Sequence, residues 1–281
     1  MPTTYPITIA PEQITSFEDQ GFVVTPDVIN LDALAVFQEA VDQAVKDRTA
    51  NDHRALKDKS RYEQSFIQCM RLWETHPKVA SLSLDPSIAG IAGQLLNVKK
   101  LNLWQDQALY KEAGGQETTP HQDQPFWPIG PSPLISAWIP FDHVDAARGA
   151  MAYVPGSHKA GRLKVVDITH STSPYDILRD PALNGAKPEI VEVAPGSIIW
   201  HHGMTVHLAS GNQSTQTRRA FTIVYLDADA IRTKPWRSYP LDRAGVAVGD
   251  TVAGMGLPQV WPPLADPPEI PALIGHGTGP Q

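Results

Sequence analysis

The chain has 281 residues, of which 42% are hydrophobic and 19% charged, and a formal net charge of −7. This is the balance of a globular chain long enough to bury a substantial core. Its acidity argues against nonspecific nucleic-acid binding, which needs a basic face. One cysteine, Cys69, excludes an intramolecular disulfide and fits a reducing compartment. In Phe66-Ile67-Gln68-Cys69-Met70 it reads as a buried structural thiol, not a nucleophile. The first residues lack a basic-then-apolar leader, and no apolar stretch is expected to span a bilayer. The expectation is a cytoplasmic protein without membrane or nucleic-acid partners; the chain carries no signal for an oligomeric state.

Taken in order, residues 1–98 predict a mostly helical flank. Pro11, Ile14, Phe17 and the stop at Gly21 outline a short helix, and Phe22-Val23-Val24 a strand. Asn30 can cap a second helix with the stripe Leu34, Phe37, Val41 and Ala44. Asp85-Pro86 opens a third, with Ile88, Ile91 and Leu95 facing inward. From 99 to 230 the texture changes to short β-type runs between turns. These are Leu101–Tyr110, Leu134–Phe141, Ala150–Val154, Ile190–Val193, Ser197–Trp200, Thr205–Leu208 and Arg219–Leu226, and they predict a sandwich or barrel. A polar segment at 160–188, with one helical turn expected near Pro174–Leu178, interrupts the series like a lid. The proline-rich stretch 231–281 is expected to wrap over the core or a partner subunit, with partial disorder as an equal alternative. The fold class is therefore mainly β with flanking helices, in a single domain.

His121-Gln122-Asp123 places an imidazole and a carboxylate at the spacing that shares one face of a β-strand. Such a pair supplies two of three ligands in a 2-His-1-carboxylate iron site. His207, in Thr205-Val206-His207-Leu208-Ala209, alternates with aliphatic residues and suits a lined pocket, with a hydrogen-bonded core histidine as the alternative. Arg218 shares a strand face with Ala220 and Thr222, where space remains for its fork to grip a carboxylate. A slip of one residue in register would give that role to Arg219.

In order and in type, these pieces resemble the phytanoyl-CoA dioxygenase family of iron(II)/2-oxoglutarate oxygenases. After His-x-Asp come Ser136-Ala137-Trp138-Ile139-Pro140-Phe141-Asp142 and Gly149-Ala150-Met151-Ala152-Tyr153-Val154-Pro155-Gly156-Ser157-His158. Pro195-Gly196-Ser197, His207, Asn212 and Arg218 follow, and Gln20-Gly21-Phe22-Val23-Val24 matches near the start. The likeness covers about residues 13–230.

The resemblance implies a double-stranded β-helix (jelly-roll, cupin-like) core. It implies Fe(II) on His121, Asp123 and His207, with 2-oxoglutarate and O2 as cosubstrates and Arg218 on the distal carboxylate. It also implies contacts from Gln105 or Gln107 to the cosubstrate and supporting roles for Thr119 and Thr205. The implied reaction is hydroxylation of a small molecule, with conversion of 2-oxoglutarate to succinate and CO2. Because Asp123 is present, halogenation is disfavoured; desaturation stays open. Phe126, Trp127 and Met204 are candidate pocket walls, with simple packing as the competing reading. His201 and His202 read as strand-end hydrogen-bonding groups, with a pocket-facing position for one of them as the alternative, and His158 reads as structural. Two alternatives remain: a silent binding or regulatory protein on the same fold, and a cupin-type metalloenzyme, disfavoured by the lack of a His-x-His cluster followed by Glu.

Overall fold

The computed structural model describes residues 7–171, 173–266 and 268–271. Helix α1 (Pro11–Gln20) begins with proline in its first turn and stops at Gly21, whose φ of 80° favours glycine. Strand β1 (Phe22–Thr25) leads to α2 (Leu31–Thr49), capped by the Asn30 side chain accepting from Asp32 N at 2.8 Å. Then come α3 (Arg61–Ser65), β2 (Ile67–Met70), α4 (Pro77–Ser83) and α5 (Pro86–Leu96). Taken as one stretch, Pro77–Leu96 is long and apolar enough to cross a bilayer, which corrects the expectation that no stretch would be. In the fold, Leu84-Asp85 and the proline that follows divide it into two helices, and most of it is buried in the core.

The β region comprises β3 (Leu101–Lys111), β4 (Thr118–His121), β5 (Ile129–Gly130), β6 (Leu134–Pro140), β7 (Met151–Tyr153), β8 (Glu189–Val191), β9 (Ile198–His202), β10 (His207–Ala209) and β11 (Arg218–Asp227). The tail adds β12 (Ile231–Arg232), α6 (Tyr239–Arg243) and β13 (Gln259–Trp261). A large antiparallel sheet runs β1-β9-β6-β11-β3-β13, with β2 also on β3; a smaller one runs β4-β10-β7-β8. The two enclose a cavity lined from both sides, the arrangement of a double-stranded β-helix.

Strand β11 shows how the sequence makes this shape. Phe221, Ile223 and Tyr225 point outward into the main core with Trp73, Ile91 and Trp200 of the helical layer and neighbouring strands. Arg218 and Thr222 line the cavity between the sheets, with the small Ala220 on the same inner face. Bulk behind and small side chains in front leave room where a ligand would sit. A second cluster joins Trp104, Leu134 and Val224 to the tail residues Leu241, Val246, Val252 and Leu257. The tail therefore wraps this chain's own core and even extends the large sheet. The segment 160–188 folds around a small cluster of Val166, Ile177 and Leu183 on Val154 and Val206, and its turn is a 3-10 helix at Ile177–Arg179. Residues 272–281 of the predicted extension lie outside the described residues.

Candidate metal centre

His121 ends β4 and His207 begins β10, and these two residues are direct partners in the register of the smaller sheet. Their rings lie 4.4 Å apart between centroids. Each ring is fixed by a backbone carbonyl two residues earlier. His121 Nδ1 donates to Thr119 O at 2.8 Å and His207 Nδ1 to Thr205 O at 3.0 Å. That leaves both Nε2 lone pairs available, the arrangement that orients metal-ligating histidines. Thr119 and Thr205 thus support the site through their main chains; the Thr205 hydroxyl instead donates to Gly21 O at 2.7 Å.

Asp123 departs from the strand expectation. Strand β4 stops at His121, and Asp123 sits in helical conformation at the head of a 3-10 turn, Gln124–Phe126, that contains Pro125. A turn and not strand alternation brings the carboxylate round. Its Oδ1 lies 3.5 Å from His121 Nε2 and 3.6 Å from His207 Nε2. One ligand atom from each of His121, Asp123 and His207 falls within 4.8 Å of the others.

A third imidazole, which the sequence reading gave first as a strand-end hydrogen-bonding group, joins them. His201 of β9 is buried, and its Nε2 lies 3.3 Å from Asp123 Oδ2 while its Nδ1 faces the Tyr153 hydroxyl at 3.3 Å. Ser136 Oγ also approaches Oδ2, at 3.4 Å. The sequence signal was the sharing of one β9 face by Ile199 and His201, and it needed the pairing of His201 with Ser136 on β6 to acquire meaning. Burial pushes His207 down to about 3, against the pull of Asp123, so its ring is neutral and able to coordinate. Burial opposes ionisation of Asp123, but His207, His121 and His201 together hold its carboxyl well below the usual range.

Arg218 closes the far side of the cavity, buried, with its guanidinium carbon 5.3 Å from the Trp138 ring centre. Nη1 donates to Leu109 O at 3.3 Å, and Nε has no partner. Two more buried polar atoms on lining residues are also unpaired: Thr222 Oγ1 and Trp138 Nε1. Burial lowers Arg218 to about 10, which leaves it charged at neutral pH. Its neighbour Arg219 points away, with Nη1 2.9 Å from Asp42 and Nη2 2.7 Å from Asp142. The sequence reading did not single out Lys111. It is fully buried, pairs with Arg218 in the β3–β11 register and donates from Nζ to Gln116 O. Burial, and then the Arg218 charge, push its ammonium down to about 7.

The cavity measures about 220 Å³. Gln105 and Gln107 both line it, as do Phe126 and Trp127. Met204 does not. It belongs to the β9–β10 turn, whose backbone is held by Gln122 Nε2 donating to Met204 O at 2.7 Å. The lid segment contributes Ile168, Thr169 and His170. Gln122, between His121 and Asp123, fastens that segment: Nε2 donates to Gly161 O at 2.8 Å and Oε1 accepts from Leu163 N at 2.9 Å.

Comparison with known proteins agrees with this geometry. A "Phytanoyl-CoA dioxygenase domain-containing protein 1 homolog" from Caenorhabditis elegans is 26% identical over 256 residues, covering 74% of this chain and 87% of that protein. A "Probable alpha-ketoglutarate-dependent hypophosphite dioxygenase" from Stutzerimonas stutzeri is 24% identical, covering 78% and 79%. Among solved structures, the non-heme alpha ketoglutarate dependent carbocyclase SnoK from nogalamycin biosynthesis superposes with a TM-score of 0.74 at 28% identity, over 90% of this chain and 98% of that one. The family model for phytanoyl-CoA dioxygenase matches residues 17–220. The chain belongs to the phytanoyl-CoA dioxygenase family, a family of non-haem iron, 2-oxoglutarate-dependent dioxygenases.

Proposed function

We propose that this protein hydroxylates a small organic molecule, with His121, Asp123 and His207 holding Fe(II) and Arg218 gripping the distal carboxylate of 2-oxoglutarate. The observation that carries the reading is one cavity with a three-ligand cluster on one side and an unneutralised, buried arginine on the other. The donor set of two imidazoles and one carboxylate suits ferrous iron and leaves coordination positions open. The unpaired Arg218 Nε, Thr222 Oγ1 and Trp138 Nε1 are what an absent oxygen-rich anion would satisfy. Gln105 is a candidate for a further contact to the cosubstrate.

When bound, iron and 2-oxoglutarate supply the oxidising chemistry, in which O2 is consumed, 2-oxoglutarate becomes succinate and CO2, and the substrate gains a hydroxyl. The chain's own part is to hold and orient. The carbonyls of Thr119 and Thr205 set the two imidazoles; His201 and Ser136 steady the outer oxygen of Asp123. The lid residues Ile168 and Thr169 help screen the cavity from water. The likeness to a carbocyclase favours one second reading, in which oxidation ends in ring closure. Product mass separates the two: hydroxylation adds one oxygen atom, ring closure removes two hydrogens.

Anaerobic titration with Fe(II) and then 2-oxoglutarate tests the site. The wild-type protein should take up both. His121→Ala should lose the metal, whereas Arg218→Ala should keep it and bind 2-oxoglutarate about tenfold to a hundredfold more weakly, as expected for a lost charged hydrogen-bond pair. Metal uptake by His121→Ala equal to wild type would sink the assignment.

A further inference from the structure

Among the described residues that line the cavity, Arg218 and Asp123 are the two whose side chains carry a fixed charge. On the reading above, on which this inference rests, one is committed to the cosubstrate and the other to the metal. What then remains for the substrate is a wall of Phe66, Met70, Phe126, Trp127 and Leu208, interrupted by carboxamides on one side. His170 stands at the edge of the cavity with its side chain 83% exposed and its Nδ1 3.5 Å from Asp167 Oδ1, so it is turned to solvent and to a carboxylate outside the lining. An adjoining hollow, sharing Tyr62, Phe66 and Gln68 with the cavity, holds three cations, of which Arg48 donates from Nη2 to the Thr75 hydroxyl at 3.2 Å and the other two are ion-paired. Arg54 lies 2.8 Å from Asp52 and 2.6 Å from Glu63, and Lys59 lies 2.7 Å from Glu112. A charged substrate group placed against this wall would be desolvated with nothing to balance it, which costs far more than an apolar ring gains.

The carboxamides are ordered. Buried Tyr62 donates its hydroxyl to Gln68 Oε1 at 2.9 Å, and Gln68 Nε2 donates to Gln107 Oε1 at 2.6 Å. The acceptor end of Gln107 is therefore occupied. Its Nε2 donates to no group among the described residues and belongs to a side chain that lines the cavity. A relay that begins at a hydroxyl donor and runs through two amides presents a donor at its last position. Only an acceptor on the incoming molecule completes it.

We propose that the substrate is an uncharged, largely apolar compound whose carbonyl or ether oxygen is received by the Gln107 amide. Gln107 is thereby assigned to substrate recognition in preference to a cosubstrate contact.

The test uses protein loaded with redox-inert Ni(II) and 2-oxoglutarate, with binding followed by ligand-observed NMR for four probes. These are 1-tetralone, its counterpart without an acceptor, tetralin, and the charged bicyclic compounds 2-naphthoate and 2-naphthylmethylammonium. 1-Tetralone should bind about tenfold more tightly than each of the other three. Gln107→Leu should erase its advantage over tetralin without weakening tetralin itself. Tyr62→Phe, which cuts the relay at its origin and leaves the cavity wall intact, should reduce the same advantage, and it serves if Gln107→Leu proves unfolded by circular dichroism. A charged probe binding as tightly as 1-tetralone would overturn the proposal. So would an unchanged tetralone preference in the folded variants, or no binding by either neutral probe. Failure of the metal and cosubstrate reading shows separately, as absence of Ni(II) or 2-oxoglutarate uptake by the wild type before any probe is added.

Discussion

Neither imidazole of the His121–His207 pair is free to turn, because the proton on each Nδ1 is bound to a carbonyl two residues earlier in the chain. Among the described residues the Asp123 carboxylate meets side chains and no main-chain donor, with His201 at 3.3 Å and Ser136 at 3.4 Å on its outer oxygen. His201→Phe should therefore preserve the fold but weaken metal binding about tenfold, the usual cost of losing a group that orients a ligand. Co(II) titration followed by absorbance would show it; an unchanged affinity would reduce His201 to packing. Lys111 gives a second residue-scale prediction. Its folded value of about 7 lies below the ordinary 10.5. Between those values the unfolded chain binds the extra proton, so stability rises with pH across that window. Relative to Lys111→Met, the cosubstrate-free wild type should gain urea resistance from pH 7 to 10. A constant difference between the two proteins would show that the Lys111 ammonium is not strained by burial.

At the level of elements, the turn after β4 ties His121 and Asp123, two of the proposed metal ligands, to the 160–188 segment proposed as a lid. Gln122 spends its whole amide on Gly161, Leu163 and Met204. Gln122→Leu should speed hydrogen exchange at the Leu163 amide by roughly tenfold, since a net hydrogen bond or two is lost locally; unchanged protection would show that the lid is held by its apolar cluster alone. Periodicity made much of this level readable. Strand β11 was legible because Phe221, Ile223 and Tyr225 alternate with smaller residues, and this set Arg218 inward and Arg219 outward. The Asn30 and Asp85 caps were legible for a local reason, a side-chain oxygen two residues from an amide it serves. His-x-Asp was read as a strand pair, yet the chain turns at Pro125 and the convergence comes by another route. His201 and Lys111 were hidden because their significance comes from partners on other strands, Ser136 and Arg218, that no local pattern names.

Across the whole molecule, the proline-rich tail carries more of the architecture than its composition suggests. Proline and glycine hide its two short strands from any period, and β13 pairs with Leu101 and Asn102 some 160 residues earlier. Trp261 packs against α5, where a methyl group on Gly90 would meet its ring at 2.8 Å. Arg243 reaches the buried Glu74 at 2.7 Å. Leu241 is fully buried in the cluster with Trp104, so Leu241→Ala should cost about 3 kcal/mol. Thermal unfolding should still show one transition at a lower temperature; early separate melting of the tail would contradict its integration. Trp104 in turn stands 5.7 Å from Trp127 on the cavity wall. Two indole rings thus lie between the tail cluster and the cavity, so on the proposed function a change at Leu241 or Val246 would reach the substrate wall without touching His121, Asp123 or His207.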